Sequence, residues 1–408
     1  MSSGHSICEC RLCRGKSLIN VFSFGDVPLG NNLATDQSEA FDADVYPLEL
    51  FRCNSCMHFQ LGYSVDPNIL FARNYTYLSG IGSAFLRHMD EFVDYCLRTI
   101  SLKNPKLFEI GCNDGTLLSK FAEHGITVKG VDPANMPSKL GRDVFGLDID
   151  TSFFDEKYVS ETVGLEKYDL VVSQNVFAHV ADLRMTLGLI KQMLNDDGYV
   201  IFEIGYFIKV VENSLFDTIY HEHLDYHTAG PLARLLNELG FSVVDVQTNE
   251  SQGGSLRVAA RRGKEVDNCE ALARMIAEEQ VLTAELVREK AGLWREDALA
   301  LGDRLRAVKS IGNQIVGYGS PTKCVLLIAM SDIGEFIDLI IEDNTKKQGL
   351  FLPRTGIPLV DFSELGTDTT VVVFAWNFFD DILLKLRSRG FRGQVIKGCL
   401  PFEESSFA

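Results

Sequence analysis

The stretch FDTIYHEHLDYH, residues 216–227, places three of the chain's eight histidines within seven positions, interleaved with Tyr220, Glu222, Asp225 and Tyr226. Such a cluster can bind a metal or move protons, and its spacing separates the two. A hydrolytic zinc helix needs H-E-x-x-H, with both imidazoles on one helical face. From His221 that pattern demands a histidine at position 225, where Asp225 stands; His223 and His227 have the right separation but lack the adjacent glutamate. The residue types suit acid/base work better. Tyr220, Glu222 and His223 offer a base titrating near neutrality, a carboxylate to orient it, and a phenol to hydrogen-bond a developing oxyanion. The plainer alternative is a polar loop whose His and Tyr side chains cap local backbone.

The elements around this stretch say where it must sit. It follows the strand-like run GYVIFEIGYF, so it is expected over the carboxyl edge of a sheet, the edge at which open α/β sheets bind ligands. Earlier, KLFEIGCNDGTLLSKF reads as strand, glycine turn and helix, with Glu109-x-Gly111-x-x-x-Gly115 in place of G-x-G-x-x-G. Asn113 and Asp114 lie in the turn, and the next strand closes on Asp132 and Pro133. Glycines let the backbone approach a ligand, and Asp132 stands where a ribose diol would be gripped. The loop is acidic, which disfavours phosphate and suits a ligand carrying an ammonium and a sulfonium; S-adenosylmethionine (SAM) is that ligand. A third strand, DLVVSQNVFAHV, adds Gln174, Asn175 and His179 at the same edge.

Two C-x2-C pairs, Cys10/Cys13 and Cys53/Cys56, supply the four thiolates of a closed structural zinc site. A redox pair or chance spacing is the competing reading. Without a basic-then-apolar start to MSSGHSICEC, the cysteines are expected in a reducing cytoplasm. A net charge of −17 argues against a phosphate-tracking nucleic-acid binder, and no apolar run reaches the length of a membrane span.

The 408 residues thus divide into a Cys-rich module over 1–68, an alternating strand and helix domain over 69–262, and a third part over 263–408. The third part opens with helical periodicity to about residue 308, then alternates strand and helix again through NQIVGYGSPTK, FIDLIIEDN, TTVVVFAWN and GQVIKG. Its Gly317-x-Gly319 could be half a nicotinamide site, with Glu342 or Asp343 as ribose ligand, but Thr322 replaces the third glycine.

Nearly the whole chain resembles the three-domain, SAM-dependent C-methyltransferases that act on nucleotide-linked 4-keto-6-deoxy sugars. The likeness rests on CRLC and CNSC, NYTYLS, EIGCNDGTLL, VFAHVADL, FDTIYHEHL, QGGSLRV, GYGSPTK, DNTKKQG and AWNF, in that order. It implies an α/β architecture: a zinc-binding N-terminal module, a class I, Rossmann-like methyltransferase domain and a C-terminal pseudo-Rossmann domain that helps hold the sugar nucleotide. It also implies catalysis by Tyr220, Glu222 and His223, joined by Tyr75 or Tyr77, with His221, Lys323 and Asn344 as sugar-nucleotide contacts. The implied reaction is methylation at C3: His223 removes the C3 proton made acidic by the C4 ketone, and Tyr220 steadies the enolate oxygen. Sugar O-methylation is the nearer alternative and nicotinamide-linked oxidoreduction the more distant. A cytoplasmic monomer with no nucleic-acid or membrane partner is the expected setting.

Overall fold

The computed structural model describes residues 4–71, 80, 83–100, 104–164, 166–263 and 269–406; Tyr75 and Tyr77 lie outside them. The N-terminal part is built on β1 (Gly4–Ser6), β2 (Leu18–Pro28), β3 (Val45–Cys53), β4 (Phe59–Leu61) and β5 (Tyr63–Val65). In β3, Tyr46, Leu48 and Leu50 are buried at alternate positions, the period of a strand with one face on a core.

The middle part carries β6 (Lys106–Ile110), β7 (Thr127–Asp132), β8 (Ile149–Thr151), β9 (Tyr168–Gln174), β10 (Leu194–Gly205), β11 (Asp225–Tyr226), β12 (Phe241–Asn249) and β13 (Ser255–Arg262). Seven of these form one sheet in the order β12-β13-β10-β9-β6-β7-β8, with β13 antiparallel to both neighbours. β6, the middle of β9 and the second half of β10 are mostly apolar and buried, as strands covered on both faces must be. The chain turns to opposite sides after β6 and β9, opening a crevice at their carboxyl ends.

β11 leaves this sheet. It pairs antiparallel with β4, giving the N-terminal sheet the order β11-β4-β3-β2. The excursion after β10 is therefore a strand of the N-terminal sheet, a placement that two residues cannot announce by periodicity.

The C-terminal sheet comprises β14 (Ile315–Tyr318), β15 (Leu339–Ile341), β16 (Leu359–Val360), β17 (Thr370–Val373), β18 (Gln394–Lys397) and β19 (Glu403–Ser406), in the order β16-β15-β14-β17-β18-β19. All pairs are parallel except β18 with β19. Before it, the helical stretch expected up to residue 308 is two helices, Glu270–Glu278 and Ala284–Ser310. Thr283 caps the second, accepting a hydrogen bond from Leu286 N at 3.1 Å. The long helix buries Trp294 against Phe24 of β2 and Phe216 of the excursion, with ring centroids 6.1 and 6.4 Å apart. One hydrophobic core consequently runs through all three parts. Among the described residues no helix is long and apolar enough to cross a membrane.

Candidate active site

Three loops meet at the carboxyl ends of β6, β7 and β9. After β6, Gly111 has φ 71° and Gly115 φ 73°, the left-handed region that glycine enters without steric cost. A Cβ at Gly111 would also stand 2.3 Å from Val176 Cγ2, so the turn is closed to other residues twice over. Asp132 ties the two loops together: Oδ2 accepts from Asn113 N at 2.9 Å and Oδ1 from Ala134 N at 2.8 Å. Asp114 is taken up differently. Its oxygens accept from Thr116 N at 3.1 Å, at the start of helix Thr116–Glu123, and from Gly80 N at 2.9 Å.

Glu109 is buried with Oε2 unpartnered among the described residues; burial, with Asp132 and Asp114 nearby, pushes its carboxyl well above the usual range. Asp132 is likewise pushed up to about 6 by burial. Gln174, at the end of β9, has both amide atoms buried without a partner among the described residues. Next to it, Asn175 has φ 55° and donates its N–H to Glu203 O at 2.7 Å. Closely placed acidic groups that resist ionisation, beside an unpaired amide, fit a cationic ligand with polar groups of its own. SAM has that chemistry, and Glu109, Asn113, Asp132, Pro133, Gln174 and Asn175, at the carboxyl ends of β6, β7 and β9, are the residues that could hold it.

The excursion 206–229 stands over this crevice. Tyr220 Oη and His223 Nε2 are 2.8 Å apart, with ring centroids at 4.1 Å. His223 Nδ1 lies 2.9 Å from Thr218 O, and a carbonyl can only accept, so Nδ1 carries the proton and Nε2 presents its lone pair toward the phenol. Burial holds His223 well below the usual imidazole range, so it is neutral at pH 7. The ring of His179 lies edge-on to it at 4.8 Å, and His179 Nδ1 donates to Glu222 O at 2.7 Å. His179, expected with the cofactor residues, thus also belongs to this cluster.

Glu222 departs from its expected use. Its carboxylate does not orient His223, a task that falls to the Thr218 carbonyl; Oε1 instead accepts from Asn31 Nδ2 of the N-terminal part at 2.8 Å. Glu222 is only 5% exposed, and burial pushes its carboxyl up to about 7. The group that titrates near neutrality here is therefore Glu222, because an uncharged buried imidazole and an uncharged buried carboxyl shift in opposite directions.

His221 is directed away from the other site residues, into the N-terminal sheet: Nε2 lies 3.1 Å from Tyr46 O, and burial lowers the ring to about 4. Asn344 closes a local turn, Oδ1 accepting from Lys346 N at 3.1 Å, and does not join the cluster. Lys347 is the nearer cation: Nζ donates to Ser320 O at 2.9 Å, and its charge acts on Glu222. Lys323 lies against the excursion, with Nζ 3.2 Å from the Trp376 ring centroid, 3.0 Å from Asn377 Oδ1 and 3.9 Å from Asp217 Oδ2. Trp376 Nε1 donates to the same Asp217 at 2.6 Å. Burial pulls Lys323 down to about 8 and pushes Asp217 up. Asn31, Thr218, Asp217, Trp376 and Lys347 were not singled out from the sequence; AWNF was a visible signal for Trp376, while Asn31 in LGNNLA had none.

The cysteines assemble as expected. The four Sγ atoms of Cys10, Cys13, Cys53 and Cys56 lie within 4.8 Å of one another, and Cys10–Cys56 and Cys13–Cys53 are 3.5 and 3.6 Å apart, too far for disulfides. Gly15 N and Ser55 N donate to Cys13 and Cys53 Sγ at 3.4 and 3.3 Å, which stabilises thiolates. The donor set fits a tetrahedral Zn2+.

Each of the three parts of the chain matches a family of known proteins. Residues 10–71 match a family model described as "Putative zinc binding domain", residues 83–246 a methyltransferase domain, and residues 250–397 a C-methyltransferase C-terminal domain. The C-methyltransferase NovU of Streptomyces niveus is 32% identical over 385 residues, 92% of this chain and 91% of that one. A ubiquinone biosynthesis O-methyltransferase of Yersinia enterocolitica is 29% identical over 27% of this chain and 47% of its own length. Among solved structures, magnesium protoporphyrin IX methyltransferase from Synechocystis PCC 6803 with bound SAM aligns over 44% of this chain and 79% of that chain, at 16% identity and a TM-score of 0.34. With a C-methyltransferase relative along nearly its entire length and each of its three parts matched in turn, the chain belongs to the family of SAM-dependent, zinc-binding C-methyltransferases.

Proposed function

We propose that this enzyme methylates C3 of a nucleotide-linked 4-keto-6-deoxy sugar through an enolate. The observation that carries the reading is the Tyr220–His223 pair, a phenol and a neutral imidazole 2.8 Å apart at the sheet edge that receives SAM. The substrate class comes from the family resemblance of the motifs FDTIYHEHL, GYGSPTK and DNTKKQG.

SAM supplies an electrophilic methyl on sulfur. The residues described here generate the nucleophile. A ketone at C4 acidifies the C3 proton; once the sugar draws the Tyr220 hydroxyl from Nε2 to O4, His223 Nε2, fixed as the lone-pair nitrogen by Thr218, takes that proton. The electron pair spreads onto O4, where the Tyr220 hydroxyl donates a hydrogen bond as charge develops. With SAM held at the ends of β6, β7 and β9, its methyl would pass to C3 with S-adenosylhomocysteine leaving and the ketone restored, and His223 gives its proton to solvent. Buried Lys323, close to Asp217 of the same excursion, places a cation beside this step. In the same proposal a tyrosine from 72–79, Tyr75 or Tyr77, completes the set, with Asn344 a more distant sugar-nucleotide contact and His221 a support for the loop.

The contact of Glu222 Oε1 with Asn31 Nδ2 at 2.8 Å, in a buried setting that pushes the carboxyl up to about 7, favours a second assignment of the base, to Glu222. The test serves both. With a 4-keto-6-deoxy sugar nucleotide in D2O and SAM withheld, wild type is expected to exchange the C3 proton, and the 4-hydroxy analogue to exchange none. Loss of exchange in His223→Asn but not in Glu222→Gln supports His223; the reverse supports Glu222. Methylation of the 4-hydroxy analogue on oxygen overturns the enolate reading.

A further inference from the structure

We propose that Asn31, carried into the active site by the N-terminal part of the chain, is a positioning residue for Glu222, fixing its carboxyl group while tolerating both of its charge states. The inference rests on the second assignment above, in which Glu222 is the base.

The geometry is that of a strap held at both ends. Leu29 and Leu33 are buried on either side of Asn31, and Asn32 N closes a turn onto Leu29 O at 3.1 Å. Gly30 presses on the C-terminal domain: a Cβ there would stand 2.1 Å from Thr322 O and 2.8 Å from Thr322 Cα. Four residues on, Ala34 pairs with Phe351, N to O at 3.0 Å and back at 2.9 Å. Between these anchors Asn31 has little freedom, and its Nδ2 reaches Glu222 Oε1 at 2.8 Å.

The choice of an amide has a chemical consequence. An arginine or lysine would lock Glu222 as an anion, and an apolar residue would leave a buried carboxyl unpaired. An amide donates to the carboxylate and, turned over, accepts from the carboxylic acid, so the contact survives a proton's arrival or departure. Among the described residues, the charged and titratable groups around Glu222 are Lys347 from the C-terminal domain, His179 on its backbone carbonyl, and Tyr220, His221 and His223 on its own segment. The three histidines are held in the neutral range by burial, which leaves Asn31 and Lys347 as the partners that favour the anion.

The test is a 13C carboxyl NMR titration of the full-length, zinc-loaded protein labelled at glutamate, with Glu222→Gln assigning the resonance. Asn31→Leu is expected to raise the Glu222 midpoint by up to about one pH unit, because the charge-assisted bond to the carboxylate is stronger than the neutral bond to the acid. Asn31→Asp, which adds a like charge, is expected to raise it further. With the keto sugar nucleotide, Asn31→Leu is expected to lower kcat about tenfold at pH 7 with KM changed less than threefold, and to recover part of that loss at higher pH. An unmoved midpoint in Asn31→Leu overturns the proposal, even if melting temperature or activity falls, because a merely structural role predicts that pattern. If Asn31→Leu does not fold, Asn31→Ser carries the same expectation for the midpoint. A shifted midpoint in a protein that leaves the keto sugar untouched supports the positioning role and refutes the substrate reading instead.

Discussion

At the scale of residues, the site separates two titrations that the sequence presents side by side. Adjacent in the chain, Glu222 and His223 are driven apart by burial, the acid up to about 7 and the base well below its usual range. With His223 as the base, kcat/KM is expected to show no limb near pH 7 that Glu222→Gln removes; a rise through about 7 that vanishes in Glu222→Gln, measured as a pH–rate profile, assigns the base to Glu222 instead. His223→Asn is expected to reduce kcat by on the order of 10²–10⁴ with SAM affinity unchanged, checked by calorimetry beside the rate assay. Tyr220→Phe is expected to cost about 10²-fold in kcat, since it removes one donor aimed at developing charge. The imidazole is held neutral by burial, so His223→Asn leaves the field around the cofactor loops undisturbed.

At the scale of elements, the excursion 206–229 is pinned at its two ends by one side chain from outside it. Glu279, in the short turn between the two helices after β13, accepts from Tyr206 Oη at 2.9 Å, from Ala229 N, and from Gly230 N at 2.9 Å. It thereby caps the helix Ala229–Glu238 and fixes the base of the loop that carries Tyr220 and His223. This use also explains why a stretch with continuous helical periodicity breaks there: an inward glutamate occupied by three donors holds the turn open. Glu279→Ala leaves those donors buried and unpaired, at a cost of about 1–3 kcal/mol. The expected signature is faster amide exchange across residues 206–229, followed by hydrogen-exchange mass spectrometry, with the β6–β9 sheet unchanged.

At the scale of the whole molecule, the zinc-binding module is part of the active site's frame. Arg11, between two of the cysteines, donates to Ala181 O at 2.8 Å, two residues past His179, and lies 4.0 Å from Asp225 Oδ1. His58 Nε2 meets the same carboxylate at 2.8 Å, and β11 adds itself to the module's sheet. Arg184 returns the contact, donating to Leu12 O at 3.2 and 2.6 Å. Removing zinc is expected to free the knuckle, abolish methyl transfer and leave SAM affinity within a few-fold, measured by calorimetry on chelator-treated protein. A large loss of SAM affinity would show instead that the sheet itself needs the metal. The third part closes the frame through Trp376 and Lys323 against Asp217.

The sequence by itself determined what depends on local chemistry and on period. The Cys pairs, the glycine turn ending β6 and the strands β6, β7, β9 and β10 were all legible, because thiolate spacing, left-handed turns and apolar runs are properties of short segments. β8, β11 and β16 were not, being two or three residues long. The tertiary structure alone decided that Glu222 faces Asn31, 191 positions away, that His221 serves the N-terminal sheet, and that His179 reaches His223. Those outcomes depend on which parts of the chain pack together and which groups they remove from water, and burial sets both the hydrogen-bond partner and the pKa of each acid and base.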